Sequence, residues 1–96
     1  MTISHKESNI TEKTVIVTGG SHGIGRCVVD FCAKNEYNTI VVARNEDDLK
    51  STVSELDNLY ANRNEYYSLD VSDYQQVQVF ADSLRKRKLT INGLIN

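Results

Sequence analysis

The stretch "VIVTGGSHGIGRC", Val15 to Cys27, decides how the rest of the chain is read. It opens on β-branched apolar residues, places four of the chain's five glycines at 19, 20, 23 and 25, and then passes into helical spacing. A short continuous apolar run is what a parallel strand covered on both faces looks like, so Thr14 to Thr18 is predicted as a buried strand. Beyond the glycines, Ile24, Cys27, Val28, Phe31 and Cys32 fall at i, i+3, i+4, i+7 and i+8, with Arg26, Asp30 and Lys34 elsewhere. That spacing predicts an amphipathic helix that buries these five residues. Strand, glycine turn and helix N-terminus together make an anion site, because free backbone N–H groups and the helix dipole both favour negative charge.

Two phosphate motifs compete for these residues. The P-loop, G-x-x-x-x-G-K-[ST], is met in spacing by Gly20 and Gly25, but Arg26 stands at the lysine and Cys27 at the magnesium-binding hydroxyl. A thiol is a poor ligand for a hard cation, so a nucleoside triphosphatase is not expected. The dinucleotide pattern G-x-G-x-x-G is not met either, since Gly23-Ile24-Gly25 runs on into Arg26, Cys27 and Val28. What stands here is T-G-x-x-x-G-x-G, at Thr18, Gly19, Gly23 and Gly25, in the strand-turn-helix setting that a dinucleotide loop requires.

The same alternation continues downstream. Thr39 to Ala43 reads as a second buried strand ending at Arg44, and Asn45 as the cap of a helix with acidic residues 46 to 48 and an apolar stripe at Leu49, Val53, Leu56 and Tyr60. Glu65 to Asp70 reads as a third strand. Ser72 or Asp73 then starts a helix with Val77, Phe80, Ala81 and Leu84 at helical spacing, and Gly93 to Ile95 begins a fourth strand. Such alternation predicts βαβ units: an α/β, Rossmann-like, doubly wound parallel sheet over residues 14–96, after a polar leader at 1–13.

With these motifs in order, the sequence resembles the short-chain dehydrogenase/reductase family. "TGGSHGIG" is similar to that family's cofactor loop, "VVARN" to its second-strand end, "LDVSD" to its adenine-site segment, and "INGLIN" to the entry of its Asn-Asn-Ala-Gly motif. The resemblance implies that Gly19, Gly23 and Gly25 line the turn under a pyrophosphate, with contacts from Ser21, His22 and Ile24. It also implies that Arg44 and Asn45 lie beside the adenine ribose, that Asp70 and Val71 receive the adenine, and that Asn96 opens the Asn-Asn-Ala-Gly motif.

Arg44 stands 19 positions after Gly25, about where dinucleotide sites carry either an acid for the ribose 2'-OH or an arginine for a 2'-phosphate. One charge-assisted bond there contributes about 1.5–3 kcal/mol, or roughly tenfold to a hundredfold in affinity, so NADP is expected in preference to NAD. His22 occupies a position where NADP-preferring relatives often carry a basic residue. The local alternatives are a plain tight turn for the glycines, a solvated strand end for Arg44 and a helix cap for Asp70.

The family's catalytic serine and Tyr-x-x-x-Lys pair have no counterpart here. Tyr37, Tyr60, Tyr66, Tyr67 and Tyr74 are followed four residues on by Val41, Asn64, Asp70, Val71 and Gln78. The expectation is therefore a cofactor-binding portion without turnover of its own, truncated after the start of the fourth strand, or alternatively a non-catalytic dinucleotide-binding or interaction module. A fourth strand at the sheet edge is expected to invite association.

Composition narrows the remaining options. A net charge of −2 with 25% charged residues carries no nucleic-acid footprint, and the run Arg85 to Lys88 is read as cations at a helix C-terminus. No segment has the apolar core of roughly 7–15 residues of a signal peptide, or transmembrane length, so a cytoplasmic protein without a membrane partner is expected. The sequon Asn9-Ile10-Thr11 requires the secretory pathway and is set aside. Cys27 and Cys32 lack metal or redox spacing and are expected to be reduced, packed thiols.

Overall fold

Five consecutive β-branched residues form the central strand of the molecule. The computed structural model describes residues 13–87 and 89–95. The leader, the sequon at 9–11, Lys88 and Asn96 lie outside them, apart from Lys13. Strand β1 (Thr14–Thr18) is followed by helix α1 (Gly23–Lys34), β2 (Asn38–Ala43), α2 (Glu46–Leu59), β3 (Asn64–Ser68), α3 (Tyr74–Arg87) and β4 (Ile91–Ile95). The sheet order is β3-β2-β1-β4, all parallel, with Val17 paired to Val41 on one side and to Ile95 on the other. This is the Rossmann-like arrangement expected from the sequence.

The alternation of side chains divides the core into two layers. Val15, Val17 and Val41 pack with Val29, Cys32 and Ala33 of α1 and Leu49 and Leu56 of α2. Ile16, Ile40 and Val42 face the other way, against Leu84 of α3 with Val77 and Phe80 beside it. Two helices therefore cover one face and one helix the other.

Several expected boundaries and faces move. Strand β3 ends at Ser68 rather than Asp70, because Leu69 donates its N–H to the Ala43 carbonyl and the chain then leaves the sheet. Helix α1 is rolled relative to its expected stripe: Val29, Cys32 and Ala33 face the sheet, while Ile24 and Phe31 are 83% and 67% exposed. The cause is that α1 is apolar on two sides, and only one can meet β1. Packing selects it through Gly20, where even a Cβ would come within 2.7 Å of Val29. Cys27 is consequently exposed and not packed, whereas Cys32 is buried and its thiol pushed up by that burial. Ala81 of α3 is likewise exposed.

The amino-terminal ends of the strands are tied by amides. Asn62 donates to the Tyr37 carbonyl and to Asn64 Oδ1, Thr39 Oγ1 donates to the same Asn64 oxygen, and Asn64 Nδ2 donates to Asp57 of α2 at 3.0 Å. Helix α3 is held at its far end by Arg87, whose guanidinium grips Glu65 of β3 through two bonds of 2.7 and 2.8 Å. Arg85 pairs with Asp82 in the same last turn, which accounts for these two cations of the basic run within the fold.

Candidate functional site

The strand order reverses at β1: β2 lies on one side of it and β4 on the other. In an open parallel sheet, the connections leaving the strands on either side of such a point go to opposite faces, and a crevice opens at the carboxyl ends. A cleft of about 640 Å³ lies there, lined by Thr18, Gly19, Ser21, His22, Val42, Ala43, Arg44, Asn45, Asp48, Leu69, Asp70 and Val71.

The glycine loop forms its floor. Gly19 and Gly23 adopt φ of +72° and +56°, the left-handed region that residues with a Cβ rarely enter, and an added Cβ at either would meet nothing within 4 Å. Gly25 is required for the opposite reason, because its Cβ would run into the Gly19 carbonyl. The Gly19 N–H donates to the Val42 carbonyl at 2.7 Å and fixes the turn to β2.

The three helices start differently. The first helical bond of α1 is Arg26 N–H to the His22 carbonyl, His22 offers no side-chain cap, and the first turn holds no acid. The preceding N–H groups are therefore open to an anion. By contrast, Asn45 caps α2 by accepting from the Asp48 N–H at 3.0 Å, and Asp73 Oδ1 accepts from Gln75 and Gln76 at the start of α3. The local alternative of Asp70 as a helix cap is thus filled by Asp73. Asp70 instead closes a turn of its own, accepting from the Ser72 N–H at 2.9 Å and hydroxyl at 2.7 Å. These bonds, with a smaller contribution from Arg44, hold its carboxyl below the usual carboxylate range.

Arg44 is exposed at the end of β2, and among the described residues no carboxylate pairs with it. Its own carbonyl accepts from Ser68 Oγ at 2.9 Å, which fixes the backbone from which the guanidinium reaches out. His22 lies across the cleft mouth, its Nε2 at 2.8 Å from Asp48 Oδ2.

Seven of the expected residues therefore converge on one cleft: Gly19, Ser21, His22, Arg44, Asn45, Asp70 and Val71. Gly25 supports the floor from beneath. Gly23 and Ile24 line a separate apolar depression along α1 with Cys27, Val28 and Phe31. Sequence reasoning placed Thr18, Val42, Ala43 and Leu69 within its motifs without assigning them to the site, which they line once the strands are in register, and it read Asp48 only as an acid suited to a helix start. Among the described residues there is no cluster of three His, Cys, Asp or Glu groups that could hold a metal, and no helix long and apolar enough to cross a membrane.

The donors and the open surface fit a dinucleotide phosphate: uncapped N–H groups at α1, a bare backbone at Gly19, and an exposed guanidinium at the second strand. Known proteins agree. The chain is 35% identical over 98 residues to 3-ketodihydrosphingosine reductase of Bos taurus, covering 98% of this chain and 30% of that one. It is 34% identical over 87 residues to 3-oxoacyl-[acyl-carrier-protein] reductase of Homo sapiens, covering 88% and 34%. The crystal structure of L-sorbose reductase from Gluconobacter frateurii complexed with NADPH and L-sorbose superposes with a TM-score of 0.82 at 28% identity, over 91% of this chain and 33% of that one. The chain thus spans about a third of the length of these relatives. The family model for short chain dehydrogenase matches residues 13–96, and the chain belongs to the short chain dehydrogenase family.

Proposed function

We propose that the chain holds the adenosine, 2'-phosphate and pyrophosphate portions of NADP(H), in preference to NAD(H), for a hydride-transfer oxidoreductase. The observation that carries this reading is Arg44, exposed on the rim of the same cleft as the glycine loop and in no ion pair among the described residues, with only a weaker attraction to Asp70. Relatives named as reductases, and the NADPH held by L-sorbose reductase, support it.

In this reading residues 14–96 act as one cofactor-binding unit. Gly19, Gly23 and Gly25 let the backbone approach the pyrophosphate, and the first N–H groups of α1, around Ile24, donate to it. Ser21, His22, Arg44 and Asn45 surround the ribose phosphate. The Asp70 carboxylate accepts from the adenine amine beside Val71, held in place by its bonds from Ser72. Asn96 belongs to the same assignment. Bound there, NADPH would supply the hydride. No tyrosine among these 96 residues has a lysine four positions on, so the reading gives this stretch of chain cofactor binding and no turnover of its own. A second reading, a non-catalytic module that associates through its sheet edge, is favoured by β4, where Leu94 is 63% exposed.

Titration of the chain with NADPH and NADH tests the assignment. Arg44→Ala is expected to weaken NADPH by roughly tenfold to a hundredfold while leaving NADH nearly unchanged. Equal losses for both cofactors would remove Arg44 from the 2'-phosphate site, and a folded chain that binds neither would end the proposal.

A further inference from the structure

We infer that Asp48 is a specificity-setting residue that engages His22 and thereby weakens the cleft's hold on a 2'-phosphate, an inference that rests on the dinucleotide reading above. The two side chains come from segments 26 positions apart and meet at 2.8 Å, joining the glycine loop to the first turn of α2 across the cleft mouth. Both line the cleft that Arg44 rims. The two side chains are exposed, but the backbone that presents each of them is fixed. Asp48 is held by its own N–H, which donates to Asn45 Oδ1, and His22 is held by its carbonyl, which accepts the first bond of α1.

The three acids of this turn are not equivalent. Glu46 is directed toward β3, accepting from the Tyr66 hydroxyl at 3.2 Å, whereas Asp48 is the one that lines the cleft. An imidazole nitrogen bonded to a carboxylate is not available to a phosphate, and a carboxylate beside an incoming phosphate repels it. Asp48 therefore acts twice against the 2'-phosphate, by occupying Nε2 of His22 and by its own charge. A cofactor without that phosphate presents no charge at the ribose, where the proposed function puts His22, and so feels both effects less.

The experiment is a double-mutant cycle read by titration with NADPH and NADH. Asp48→Asn is expected to tighten NADPH by about twofold to fivefold, the range of an exposed charge pair, with a smaller change for NADH. In a His22→Gln background the same substitution is expected to gain less, because part of its effect runs through the imidazole. Weaker NADPH binding by Asp48→Asn overturns the inference, since Asp48 would then be presenting His22 to the phosphate. So does an equal change for NADH, or an undiminished gain in the His22→Gln background. These outcomes leave the dinucleotide reading standing; a wild-type chain that binds neither cofactor overturns both.

Discussion

Gly25 carries the sharpest constraint at the level of single residues. A methyl group there would overlap the Gly19 carbonyl, part of a backbone turn that the Gly19 N–H ties to Val42. Gly25→Ala is expected to cost about 1–3 kcal/mol of stability, as overpacking does, and to abolish NADPH binding. Gly93→Ala is the control, since its Cβ would meet only Val15 at an ordinary 3.9 Å; thermal melts with NADPH titration of the two variants check the pair. The sequence made the loop legible but not the separate duties of its glycines. Four glycines in one turn announce tight geometry, yet whether each serves a positive φ, a close backbone or a packed helix depends on neighbours far along the chain. Asp48 was illegible for the same reason: its local role as a helix-start acid is complete without His22, and nothing in the sequence between them signals the meeting.

Among the elements, capping and packing were read with unequal success. Asn45 was legible as the cap of α2 because a cap acts within three residues, and the bond to the Asp48 N–H is there. Asn45→Ala is expected to cost about 0.5–2 kcal/mol, and Asn45→Ser to restore most of it, measured by the urea midpoint at unchanged m. The faces of α1 were less legible. Its apolar residues cover two stripes, and the helical spacing read from Ile24 picked out only the one that ends up largely outside. Contact with β1 through Gly20 and Val29 chose the stripe containing Val29, Cys32 and Ala33, leaving Ile24 and Phe31 outside. The end of β3 shifted for a similar reason, since strand ends are set by their partners and β2 stops at Ala43.

For the whole molecule, alternation made a parallel sheet of βαβ units legible but not its strand order, since more than one parallel order satisfies the same alternation; the family resemblance is what implies the observed β3-β2-β1-β4. Among the described strands β4 is outermost, with Leu94 on the face that α3 leaves open beside Ile16. Leu94→Lys is expected to reduce concentration-dependent self-association without lowering the melting temperature, as charge on an edge strand does; sedimentation at several concentrations checks it. The amide lattice at the foot of the sheet has a mechanical consequence. Through Asp57 and Asn64 it anchors the carboxyl end of α2, while the opposite end carries Asn45 and Asp48 to the cleft. Helix α2 thus spans the molecule as a strut, fixed at the foot of the sheet by Asp57 and at the cleft by the bonds of Glu46 and Asp48, so the separation of sheet foot and cleft is set by its length.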